Sequence, residues 1–107
     1  MDATLADAIT TTTNGPYAAV QIKGATEPVS VEIVGKALGT SGAFSVTFDI
    51  EESADASSFS AVKTVTVAGT AETKPIALQH VARKPWVRLN VTAISGTGAS
   101  LSAALRV

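Results

Sequence analysis

Four carboxylates crowd into seven residues. Asp49, Glu51, Glu52 and Asp55 lie within FSVTFDIEESADASSFS, residues 44–60, of a chain with only nine acidic side chains. Calcium takes about six to eight oxygens converging on one point. Glycoside hydrolysis takes two carboxyls facing each other across a cleft. Strand alternation, however, places Asp49 and Glu51 on one face, Glu52 on the other and Asp55 in the turn. Neighbours on a strand face lie about 7 Å apart and point the same way, so Asp49 and Glu51 do not enclose a substrate. Ser53-Ala54-Asp55-Ala56 supplies neither the sharp-turn glycine nor the closing glutamate of an EF-hand loop. The expectation is a solvated strand end followed by a Ser/Asp turn.

The other reactive residue types are equally isolated. His80 is the single histidine, and no cysteine is present to share an ion with it, so a zinc site lacks its usual ligands. It continues the parity of Ile76 and Leu78, which predicts a partly buried structural histidine near a strand end. Serines are plentiful, but no G-x-S-x-G elbow presents one as a nucleophile. Gly96-Thr97-Gly98 joins two alternating segments rather than a strand and a helix, so it reads as a hairpin turn, not a phosphate loop. No catalytic residue, cofactor or metal site is expected, and the chain is read as non-enzymatic.

The elements around these residues follow period two. Phe44, Val46, Phe48 and Ile50 alternate with Ser45, Thr47, Asp49 and Glu51; Val29, Val31 and Ile33 with Ser30 and Glu32. Val87, Leu89, Val91 and Ala93 alternate with Arg88, Asn90 and Thr92; Leu101, Ala103, Leu105 and Val107 with Ser100, Ser102 and Arg106. Shorter strand candidates are 18–23, 63–67 and 75–81. Turn residues break the chain at Gly24 with Glu27-Pro28, at 39–42, 53–58, 69–73 and 95–98. Strands at roughly ten-residue spacing with short turns point to an antiparallel arrangement. Only residues 3–9 (ATLADAI) are compatible with a helical turn or two. The fold class expected is all-β: an antiparallel β-sandwich of seven to eight strands with an extended N-terminal arm, jelly-roll-like by the family resemblance described below. The arm spans residues 1–16 and the single sandwich domain residues 17–107.

Composition narrows the function classes. A chain of 107 residues is one domain and buries roughly 65% of its unfolded surface. Charged residues are 16% and the net charge is −1, without the basic footprint that phosphate backbones demand, so no nucleic-acid partner is expected. Apolar runs are too short for a membrane span. Met1-Asp2 opens without a basic stretch, so no secretory leader is expected and synthesis in the cytoplasm follows.

What remains is surface. With Val87, Leu89 and Val91 inward, Trp86, Arg88 and Asn90 form an outward row, and tryptophan and arginine are the types most enriched at interface hot spots. Thr10, Thr11, Thr12 and Thr13 are four β-branched residues in series that favour an extended arm. These seven residues are the candidate partner interface. Phe44, Phe48 and Phe59 are expected in the core, with Phe59 folding back from the turn.

The segments FDIEESADASSF and WVRLNVTAISGTGASLSAAL, joined by a Thr/Val strand and a Gly turn, resemble small β-sandwich virion proteins of tailed bacteriophages, the capsid decoration (cement) and head-associated proteins. The likeness covers roughly residues 17–107 and is one of pattern, without a catalytic signature. It implies a homo-oligomer, dimer or trimer, that binds the major capsid protein on the outside of the virion capsid and is made in the host cytoplasm. The same pattern is also similar to discoidin-like carbohydrate-binding sandwiches, whose aromatic platform would here rest on Trp86 and Tyr17.

Overall fold

Period-two alternation becomes strand along most of the chain. In chain order the strands are β1 (Ile9–Thr11), β2 (Gly15–Pro16), β3 (Val20–Gln21), β4 (Val29–Leu38), β5 (Ser41–Ser53), β6 (Ser60–Thr70), β7 (Thr73–Ala82), β8 (Trp86–Thr97) and β9 (Ser100–Arg106). The computed structural model describes residues 9–17, 19–22 and 28–106, with 9–11 and 20 described by backbone alone. The short helix considered for residues 3–9 falls on residues outside that set, apart from Ile9, which opens β1.

Two antiparallel sheets form. One has the order β1-β9-β4-β7, the other β2-β8-β5-β6, with β3 also on β8 beyond β2. The pairs β1·β9, β2 and β3·β8, β4·β7 and β5·β6 nest inside one another. The chain is thus one long antiparallel hairpin with its tip at the β5–β6 turn. Rolling it up brings β4 onto β9 and β5 onto β8. That is the jelly roll, which keeps unpaired edges few by wrapping a single ribbon into two sheets.

The core fills the space between the sheets. Phe44, Val46, Phe48, Ile50, Val87, Leu89 and Val91 come from the five-stranded sheet; Val31, Ile33, Ala37, Ile76, Leu101, Ala103 and Leu105 come from the other. Burying one side chain of this kind contributes roughly 1.5–3 kcal/mol. Tyr17, between β2 and β3, packs half-buried on this cluster and donates its hydroxyl to the Leu101 carbonyl at 3.3 Å. Burial pushes its phenol pKa up. It therefore faces the opposite sheet and does not stand beside Trp86 as a second sugar platform.

Among the described residues the pairing shifts register at three places, between Ser41 and Ser45 of β5 and at two single-residue bulges. In β8, Val91 pairs with Phe48 and Ala93 with Thr47, leaving Thr92 as the extra residue. Parity flips there, so Ala93 is exposed and Ile94 packs on the core, which corrects the expectation that Ala93 faces inward. In β6, Lys63 pairs with Ile50 and Ala61 with Glu51, leaving Val62 out and 49% exposed. The Gly96-Thr97-Gly98 segment is part of the β8–β9 hairpin. Gly96 has φ 110°, and an added Cβ would sit 2.7 Å from Phe44 Cα, so only glycine lets β8 pass this close to β5.

Candidate functional site

The acidic stretch is where the structure departs most from expectation. β5 ends in Glu51 and Glu52, and neither is solvated: their exposures are 8% and 3%. Alternation sends the two carboxylates to opposite sides of the five-stranded sheet, and each is held by different partners.

Glu51 points outward, opposite Arg88 on β8. Arg88 Nε donates to Oε1 at 2.7 Å and Asn90 Nδ2 donates to Oε2 at 3.0 Å. The Arg88 guanidinium lies over the Phe59 ring, 4.0 Å from its centroid, a contact of about 0.5–2 kcal/mol depending on desolvation. Phe59 is thus on the outer face rather than in the core, the reverse of the expectation; Phe44 and Phe48 are core as expected. Arg88 keeps 27% of its side chain exposed. Its two terminal amino groups, and the Asn90 Oδ1, have no hydrogen-bond partner among the described residues.

Glu52 points inward at the end of the sandwich. Its Oε2 lies 2.5 Å from His80 Nε2 on β7, in the other sheet. A carboxylate only accepts, so Nε2 carries the hydrogen. Oε1 accepts the backbone N–H groups of Arg83 and Lys84 at 3.0 and 3.1 Å. Those residues form the crossover from β7 to β8, so Glu52 fixes the segment that launches the Trp86–Asn90 row. His80 is the partly buried strand-end histidine the parity predicts.

The turn after β5 is built from side-chain hydrogen bonds. Ser53 donates its hydroxyl to Asp55 Oδ1 at 2.9 Å and accepts the N–H groups of Asp55 and Ala56 at 3.2 and 3.0 Å. Asp55 Oδ1 in turn accepts from the N–H groups of Ser57 and Ser58 at 2.9 and 3.0 Å. These bonds, led by Ser58, hold the Asp55 pKa down to about 2. The folded value lies below the ordinary one of 3.8, so the contribution of Asp55 is complete above about pH 4 and is lost as pH falls through about 2. Titrating this carboxylate by NMR is expected to give a midpoint near 2, with amide protection of Ser57 and Ser58 lost in the same range. A midpoint at the ordinary value would contradict the turn geometry.

The seven residues of the expected interface divide between places. Trp86, Arg88 and Asn90 share the outer face of the five-stranded sheet, with Trp86 half-buried opposite Ser53 and Gln21. Thr12 and Thr13 form an exposed bend leading into β2, where Pro16 pairs with Asn90. Thr10 and Thr11 belong to β1 and pair with Ser102 and Leu101 in the other sheet. Residues 1–8 of the expected arm lie outside the described set. Sequence reasoning missed Glu51 and Phe59 as parts of the row; the signal was their distance from Arg88 across a strand pair, which alternation cannot supply.

The assembled site is a net-neutral, pre-paired polar cluster beside a tryptophan, with hydrogen-bond donors and an acceptor left without a partner among the described residues. Among the described residues no group of three or more His, Asp, Glu or Cys is placed to hold a metal ion. No family model, curated protein or solved structure matches this chain.

Proposed function

We propose that this chain is a non-enzymatic virion structural protein that decorates the outer surface of a phage capsid by binding its major capsid protein. One observation carries the reading: Trp86, Arg88 and Asn90 stand in an outward row whose polar members are already held by Glu51 and Phe59. A contact surface ordered before binding loses little side-chain entropy when the partner arrives. Trp and Arg in such a setting are the residues expected to dominate an interface. Decoration needs no reaction. Binding the assembled shell and not its free subunits stabilises the shell by mass action.

The test is co-sedimentation with expanded capsids that lack a decoration protein. Trp86→Ala is expected to weaken binding by about 30-fold, the loss of a hot spot of about 2 kcal/mol, while the isolated domain stays folded. Unchanged occupancy on the capsids would sink the proposal. Deleting the threonine run is a poorer test, because it also strips β1 from β9.

A carbohydrate- or receptor-binding module is the second reading. It is favoured by the Arg88 amino groups and Asn90 Oδ1, unpaired among the described residues, which offer donors and an acceptor on one strand face at no net charge, beside Trp86. Neutral sugars present vicinal hydroxyls suited to that pairing. Glycan-array binding that disappears on Arg88→Ala would select this reading over the first.

A further inference from the structure

Among the described residues the jelly roll leaves four sheet edges, and three of them are blunted. β1 is three residues long. β2 and β3 are two residues each, separated by residues 17–19, and β2 contains Pro16. β7 is long but carries Pro75, which has no N–H to offer a neighbouring strand. The fourth edge, β6, runs for eleven residues, SAVKTVTVAGT, with no proline and a single charge at Lys63. Natural sheets protect such edges with charges, prolines or bulges. β6 has a bulge only near its start, at Val62, and from Lys63 to Thr70 it pairs regularly with β5.

The core also runs short beneath this strand. Val46 and Phe48 on β5 are fully buried, whereas their partners on β6, Val67 and Val65, are only half-buried. The inner side of β6 therefore has apolar surface that is only half-covered, and its outer edge has no strand to pair with among the described residues.

We propose that β6 is the interface of a homodimer, in which two copies pair antiparallel along their β6 edges about a two-fold axis at Thr66. The register is self-complementary, as an isologous contact requires. Val65 stands opposite Val67 of the second copy, twice over, which covers the half-buried valines from both sides. Thr64 stands opposite Ala68 of the second copy. Thr66 meets its own mate on the outer face, where it already shares a 3.0 Å hydroxyl contact with Thr47; threonine pairs directly across strands are favourable. Lys63 stands opposite Gly69 of the second copy, and the two lysines end up six residues apart, roughly 20 Å. That exceeds the roughly 8 Å screening length at physiological salt, so the one charge on the strand does not oppose the pairing. A second copy is favoured over a foreign strand because this one sequence supplies both halves of every apolar pair.

The dimer leaves the Trp86–Asn90 row uncovered, since that row lies towards the other edge of the sheet. The inference is therefore independent of what the row binds.

The experiment is solution mass of the full chain by light scattering, from low to high micromolar concentration. The wild type is expected at twice its 10.8 kDa. Thr66→Lys, an exposed outer-face change, places two ammonium groups against each other across the axis and is expected to halve that mass without altering the far-UV spectrum of the sandwich. Thr66→Cys is expected to give a covalent dimer on mild oxidation. The chain has no other cysteine, and directly opposed residues have Cβ atoms about 4.5–5.5 Å apart, within reach of a disulfide after small adjustment. Gln79→Cys, exposed on the other sheet, should remain uncrosslinked under the same conditions. A monomeric wild type overturns the proposal, and so does a dimer that Thr66→Lys leaves intact.

Discussion

Glu52→Ala is expected to destabilise the protein by roughly 3 kcal/mol, lowering its thermal midpoint by about 10 °C or more in a domain of this size. The substitution removes the acceptor for three donors at once: His80 Nε2 and the N–H groups of Arg83 and Lys84. All three lie at the closed end of the sandwich, and the His80 and Glu52 side chains are only 10% and 4% exposed. Removing one partner from such a group leaves the others desolvated and unpaired, which costs far more than the net worth of any one bond. Glu52→Gln separates the contributions. Its amide oxygen can still accept from the Arg83–Lys84 turn, but its NH2 can pair with His80 Nε2 only if the ring moves its hydrogen to Nδ1, so an intermediate loss is expected. Calorimetry of both variants checks the order. If Glu52→Ala melts within about 2 °C of the wild type, well below the shift of a 1 kcal/mol loss, the carboxylate does not hold the two sheets together. Because the same carboxylate fixes the crossover into β8, Glu52→Ala should also loosen the Trp86–Asn90 row.

The second large effect is expected from the smallest possible change. Gly35 lies inside β4, flanked by β7 on one side and β9 on the other. A Cβ added there would overlap the Ser102 carbonyl oxygen and sit 2.7 Å from Ala103 Cα. Both obstacles are backbone, so no side chain can rotate away, and the β4–β9 ladder itself must shift. Overpacking of this sort typically costs about 1–3 kcal/mol and more when the backbone cannot yield. Gly35→Ala is therefore expected to lose about 3 kcal/mol, read as a fall in the urea midpoint at unchanged slope. A midpoint equal to that of the wild type would mean that the two strands are not in van der Waals contact at this position.

The acidic stretch and the strand facing it mark how far residue types alone could be read. The alternation of Phe44, Val46, Phe48 and Ile50 identifies a strand with one buried face, because side-chain direction in a strand is a local property with period two. The same rule placed Glu51 outward and Glu52 inward, and His80 in line with Ile76 and Leu78. It could not say that Glu51 would be covered, because Arg88, Asn90 and Phe59 reach it only after β8 and the turn at 53–58 are in place. Nor could it foresee the Thr92 bulge, which turns Ala93 out and Ile94 in; a bulge belongs to a pair of strands, and no single strand carries its signature.

The sequence by itself therefore determined the all-β class, most of the strand positions and the turn chemistry at Ser53–Ser58, all of which rest on contacts within a few residues. The tertiary structure alone decided which strands are neighbours, which carboxylates lose water and which edge is left open. Those depend on partners 28 or more residues away, such as Glu52 with His80 and the Arg83–Lys84 turn or Glu51 with Arg88. The burial of a charge is set by what closes over it, and in a rolled hairpin that is known only once the roll is complete.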